Sequence, residues 1–157
     1  MATDEAKKAN ALRMTSLSLE VLAEEVWDTL GESSMALAKG MGDAMLEMLE
    51  KEQGLELAGE DPVAVGTEIN RILVDEYGYA QEISMINLAV GEKVDVKVKG
   101  CINTAFTDRL IKSGVKTPFI CPMMLIGGAL LRRVGMNPHI ALERWPEGKG
   151  CIIHYSA

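Results

Sequence analysis

The stretch SMINLAVGEKVDVKVK, Ser84 to Lys99, changes the period of the chain. Val94, Val96 and Val98 alternate with Lys93, Asp95, Lys97 and Lys99, the pattern of a half-buried strand. The segment before it offers Ser84, Ile86, Leu88 and Val90 on one face. A two-residue turn at Gly91-Glu92 would set Leu88 opposite Asp95 and Ile86 opposite Lys97, apolar against charged. Register follows the buried face, so a bulge or odd-length loop is expected to bring the two apolar faces together.

Working outward from this hairpin, the flanks read as helices. On the N-terminal side Leu17, Val21, Leu22, Val26 and Leu30 recur at three and four, with Gly31 placed to end the helix. Residues 1–14 form an extension, either helix or frayed arm. Ser33 or Ser34 can cap a second helix with the stripe Leu37, Met41, Met45, Met48 and Leu49, stopped by Gly54. Gly40 and Gly42 inside it each cost about 1 kcal/mol against alanine, which argues for close packing there. A third helix starts at Asp61-Pro62, an N-cap followed by proline. It turns Ile69, Ile72 and Leu73 inward and ends at Gly78.

After the hairpin come a short helix from Thr104 to Ser113 and an apolar helix from Pro122 to Val134. A second hairpin, His139 to Trp145 and Gly150 to Tyr155, closes the chain. The order is three helices, a hairpin, two helices and a hairpin. It predicts an α+β fold: a four-stranded, mostly antiparallel sheet of two hairpins packed with about five helices. Residues 15–157 form one domain, a length that buries a real core.

Composition narrows the function classes. The chain is 48% hydrophobic and 25% charged, the balance of a globular protein. Its net charge of −7 without a lysine or arginine run argues against nucleic acid and against an anionic membrane surface. The first dozen residues are polar, unlike a signal peptide. The longest apolar run, Pro118 to Leu131, falls short of the roughly 20 residues a bilayer needs. Three cysteines without an export signal read as thiols or metal ligands, and the cytoplasm is the expected compartment.

No GxxxxGK[ST], no strand-following GxGxxG, no GxSxG and no HExxH occurs, so no nicotinamide, nucleotide or hydrolase site is expected. The acidic Glu56, Glu60 and Asp61 read as a solvated loop. Ten methionines against 4% aromatics suggest core filler or the lining of an adaptable pocket. Trp27, Met41, Met45, Met123 and Met124 are the candidate ligand-pocket residues; the rival is a solid core.

The cysteines sit at boundaries: Cys101 ends a strand, Cys121 starts a helix, Cys151 lies in the last strand. A helix N-terminus lowers a thiol pKa and favours the metal-binding thiolate. Three thiolates and one further ligand suit tetrahedral zinc, although no CxxC pair occurs and scattered cysteines are commonly just buried. Cys151 and His154, three apart on a strand, point to opposite faces. Glu143 is the better fourth ligand: an odd-length final loop would set it across from Cys151, an even one would put Ile152 there.

Residues 35–156 resemble the 4-vinyl reductase domain family, the predicted hydrocarbon-binding proteins of archaea. The stretches that carry the likeness are ALAKGMGDAML, EYGYAQEISMINLAVGEKVDVKVKGC, CPMMLIGGALLRRVG and EGKGCIIHY. The resemblance implies an α/β sandwich, homodimers and the holding of small apolar ligands, in some members as sensory domains. It also implies a structural zinc, with Cys121 and Cys151 on two cysteine positions of the family, Cys101 near its glutamate and Glu143 on its remaining cysteine. The functional expectation is thus a hydrophobic or aromatic ligand-binding or sensory domain in preference to an enzyme, a question the sequence leaves open. The alternatives are an enzyme or accessory factor acting on a tetrapyrrole-like substrate, and a protein-assembly module.

Overall fold

The computed structural model describes residues 2–54, 62–89 and 91–157. Helix α1 runs Asp4–Leu30 and a 3-10 turn, Gly31–Ser34, leads into α2, Met35–Gln53. Helix α3 spans Pro62–Asn70 and passes directly into a π-helical turn, Arg71–Glu76. Strands β1, Glu82–Ala89, and β2, Lys93–Lys99, form the first hairpin. Helices α4, Thr104–Lys112, and α5, Pro122–Arg133, precede β3, His139–Trp145, and β4, Gly150–Ser156. The sheet order is β1-β2-β4-β3, antiparallel throughout. The expected α+β architecture is therefore the observed one.

Apolar pattern explains which face each strand buries. On β2 and β4, Val94, Val96 and Val98 pair with Tyr155, Ile153 and Cys151 and face the helices. The other face carries Asp95 against His154 and Lys97 against Ile152. β1 does contain a bulge, at Ile86: Met85 pairs with Val96 and Asn87 with Asp95. The bulge sets Leu88 opposite Val94, as the buried-face argument required. It also inverts the strand's earlier half, where Ile83 rather than Ser84 is buried and Ile86 is left exposed.

Helix α5 is the centre of the molecule. Eight of its residues are buried, because the sheet lies under one side and α2 over the other. Gly42 makes the second contact close: a Cβ there would meet the carbonyl group of Leu125, 3.1 Å from its carbon. Gly40, by contrast, faces open space. Gly54 ends α2 in the left-handed conformation, φ 60° and ψ 37°, which costs glycine no Cβ clash.

Three local expectations are corrected. Of the two readings of the N-terminal extension α1 takes the helical one, continuous from Asp4, but its stripe is not inward: its buried residues are Ala23 and Trp27, while Leu17, Val21, Leu22 and Leu30 are exposed. Ser34 makes no capping bond, because the 3-10 turn already hands the chain to α2 in helical geometry. The third helix ends not as an α-helix but as the π-turn, with Ile69, Ile72 and Leu73 buried as expected. The Asp61 cap, the acidic group Glu56, Glu60 and Asp61, and Val90 lie outside the described residues. No described helix is long and apolar enough to cross a membrane.

Candidate functional site

An apolar cavity of about 100 Å³ lies under α5. β1 and β2 give it a floor of Ile83, Met85, Leu88, Val94 and Val96; Ile126 and Leu130 of α5 roof it, and Leu73 of the π-turn closes one end. A cavity of roughly 150 Å³ is enough for benzene in a dry apolar core, and the thioethers of Met85 and Met123 on its wall can shift. The space is thus somewhat tighter than one ring needs, and the thioethers must give way to admit one.

Among the described residues two polar side chains reach it, Tyr155 and Asn70. The Tyr155 hydroxyl is already used: it donates to the Met123 carbonyl at 3.2 Å, beside Gly127, where a Cβ would come within 2.8 Å of Cζ. Burial pushes that phenol well above its ordinary pKa, so it stays protonated. Asn70 is half-buried on α3 and donates from its amide to the Gly66 carbonyl at 3.2 Å. Its carboxamide stands on the cavity wall. The π-turn begins at the next residue, the kind of helix irregularity that recurs at functional sites.

The methionine and tryptophan candidates are not brought together. Met123 lines this cavity, but Met124 is buried toward a separate cleft between α2, α5 and the start of β3. Met41 and Met45 line a groove between α1, α2 and α5. Trp27 is packed in a satellite core with Ala38, Leu110, Val115, Phe119 and Leu125. Periodicity identified these residues as helical and inward, but it carries no information on which neighbour each would meet. Asn70 and the β1 residues escaped sequence reasoning; a carboxamide one residue after an apolar Ile69 was the only available signal.

The three cysteines do gather at one corner. Val98 pairs with Cys151, and the Cys101 amide donates to the Lys149 carbonyl at 3.0 Å, zipping the end of β2 to the last hairpin. Cys121 is the residue before α5. All three thiols are free, and the loss of water around the Tyr79 phenol, with a smaller effect of the three sulfurs beside it, pushes that group well above its ordinary pKa. Tyr79 is half-buried and accepts from the Asn103 amide at 2.6 Å.

The helix N-terminus does not win at Cys121. Burial raises its thiol to about 11, against smaller opposing effects of the Met124 and Met123 amides. Burial likewise carries Cys151 to about 12, helped by the two other thiols, and raises Cys101. The final loop is even, Trp145 pairing with Gly150, so Glu143 stands opposite Ile152 and Arg144 opposite Cys151. Glu143 therefore lies on the far face, exposed, 3.4 Å from His154 Nε2, while His154 Nδ1 is 2.7 Å from Asp95. Arg144 bonds Asp108 at 2.6 Å and the Gly150 carbonyl, and lends its charge to the thiols. Three soft donors suit zinc, but the set with Glu143 does not fit. Among the described residues no group of three or more His, Cys, Asp or Glu side chains is placed to hold a metal ion.

Thiol chemistry should follow. At pH 7.5, alkylation of Cys121 by iodoacetamide in the native protein is expected to be about a hundredfold slower than in denaturant, since the thiolate is the nucleophile. Mass spectrometry of the modified chain checks this; equal rates would show that Cys121 is neither buried nor raised.

A family profile described as "Putative rubredoxin C-terminal domain" matches residues 14–157. It is a different family from the 4-vinyl reductase family, for which nothing specific is found. No curated protein matches the chain in sequence. Among solved structures, trafficking protein particle complex subunit 3 from Naegleria fowleri, covalently bound to palmitic acid, aligns with a TM-score of 0.60. It is 12% identical, and the alignment covers 95% of each chain. The phenol-responsive sensory domain of the transcription activator PoxR, with phenol, aligns with a TM-score of 0.50 and 13% identity. There 90% of this chain and 74% of the other are covered. At such identities the likeness is one of fold.

Proposed function

The chain belongs to the rubredoxin C-terminal domain family, and from that premise we propose that it is a small-molecule binding or sensory domain. Its ligand is a compact apolar molecule, about one ring in size, held under α5. The observation that carries this reading is the apolar cavity with the Asn70 carboxamide on its wall. The two solved neighbours were crystallised with phenol and with palmitic acid, which supports an apolar ligand in a fold of this kind. A tetrapyrrole, four rings across, exceeds a space of about 100 Å³, so the enzymatic alternative has less to stand on.

Toluene and phenol are suitable probes. Each at ten times its Kd is expected to add about 1.4 kcal/mol to stability, read as a rise in Tm. Leu88 lines the cavity at its exposed side, so Leu88→Trp should obstruct entry and abolish both rises. Asn70→Leu should weaken phenol by roughly tenfold, the worth of one buried hydrogen bond, and leave toluene unchanged. A wild-type Tm that responds to neither probe would sink the reading.

A metal at the three thiols is a separate proposal. Cys101, Cys121 and Cys151 bound as thiolates, with a fourth ligand from outside this set, would tie β2, α5 and β4 together structurally. Fewer than about one zinc per ten chains in protein purified without chelator would remove it.

A further inference from the structure

We infer that α1 is the dimerisation element, pairing antiparallel with α1 of a second copy of this chain. The helix is 27 residues long, about 40 Å at 1.5 Å per residue, yet it buries only Ala23 and Trp27. Its apolar side chains are instead in water: Leu12 is 73% exposed, Leu19 47%, Val21 56% and Leu22 59%. Leu12, Leu19 and Val26 recur at seven, and with Leu22 they line a groove of about 410 Å³ whose other wall includes Leu37, Met41 and Phe106. Monomeric proteins rarely leave so continuous an apolar seam uncovered.

Charge along the helix selects the occupant. The N-terminal part carries Lys7, Lys8 and Arg13, the C-terminal part Glu20, Glu24, Glu25 and Asp28. Asp4 and Glu5 sit at the tip, where carboxylates favour the helix's own N-terminus, and Asp4 is 3.0 Å from Lys7. Glu20 is engaged by Arg109 at 2.8 Å; Glu25 and Asp28 are exposed. A second α1 laid antiparallel across the midpoint near Leu17 sets each basic part against the partner's acidic part. A parallel partner would set like against like. The helix is thus complementary to its own reverse, as a two-fold, isologous contact requires. This inference does not rest on the ligand reading, since the groove and the cavity under α5 are distinct.

Sedimentation equilibrium of the full chain tests it. The wild type is expected to be a dimer at tens of micromolar. Leu19→Glu with Leu22→Glu, both exposed in the monomer, should weaken the dimer at least roughly a hundredfold, with helicity by circular dichroism retained apart from α1. Lys7→Glu, Lys8→Glu and Arg13→Glu together should weaken it about tenfold, exposed ion pairs being individually small. Adding Glu24→Lys, Glu25→Lys and Asp28→Lys to that same chain should restore the dimer, because both parts are then reversed. A monomeric wild type, an unaffected charge variant, or failure of the restoring set would each overturn the proposal.

Discussion

Gly150→Ala is expected to cost about 3–5 kcal/mol and to lower Tm by roughly 10 °C or more. Gly150 opens β4, buried where the strand crosses β2. A Cβ there would fall on the Val98 carbonyl, far inside contact distance, with the Lys99 Cα 3.3 Å away. These are backbone atoms of a paired strand, so no rotamer change can relieve the overlap, and β2 must separate from β4. The same substitution at Gly40 has the opposite sign. Nothing lies within 4 Å of a Cβ at that exposed helical position, and alanine should stabilise α2 by about 0.5–1 kcal/mol. Urea unfolding of the two variants beside the wild type measures both. A Gly150→Ala protein within about 1 kcal/mol of wild type would mean that the strands do not approach as described.

Stability of the metal-free, reduced protein is expected to fall steeply between pH 9 and 11. Cys121 and Cys151 are held at about 11 and about 12, against 9.0 for a free thiol. Below pH 9 both folded and unfolded chains keep these protons, and the groups do not bias folding. Above it the unfolded chain releases them while the folded one retains them, so the unfolded state is favoured. A tenfold difference in proton affinity between the two states is worth about 1.4 kcal/mol, and the two buried thiols together should remove several kcal/mol by pH 11. Denaturation curves at successive pH values, with chelator and reductant, read the slope. Cys121→Ala with Cys151→Ala should flatten it. A metal bound as thiolates would move the loss to the acid side instead, where protons compete for the sulfurs.

The elements were legible because each announces itself locally. The final hairpin was readable at both strands, His139 to Trp145 and Gly150 onward, from alternation on either side of Pro146-Glu147-Gly148-Lys149. α5 was readable from the apolar run Pro122 to Leu131, with Cys121 before it and Gly135 soon after. Parity was harder. Ile86 shows why: once a bulge is admitted, every residue on one side of it changes face, and here it leaves both Met85 and Leu88 on the cavity side. Loop parity decided Glu143 in the same way, and neither loop length advertises its turn geometry. α1 misled for a different reason. Its Leu17, Val21, Leu22 stripe is genuine, but a stripe states only that something apolar should cover it, not that the same chain does. The thiols were misjudged on magnitude: the N-terminal amides of α5 do act on Cys121, but the loss of water around a buried sulfur outweighs them.

The two walls of the cavity differ in stiffness. α5 is clamped from above by α2, through Gly42, through Arg132 bonded to Asp43 at 2.7 Å and through Arg133 with Glu50; from below it is pinned by Tyr155. β1 is an edge strand, paired on one side only and interrupted at Ile86. Any guest that swells the space must therefore displace β1 and the π-turn rather than the roof. Occupancy would be registered as movement at the sheet's free border, at the opposite edge from β3, and amide exchange along Ile83 to Leu88 is where such a signal would first become visible.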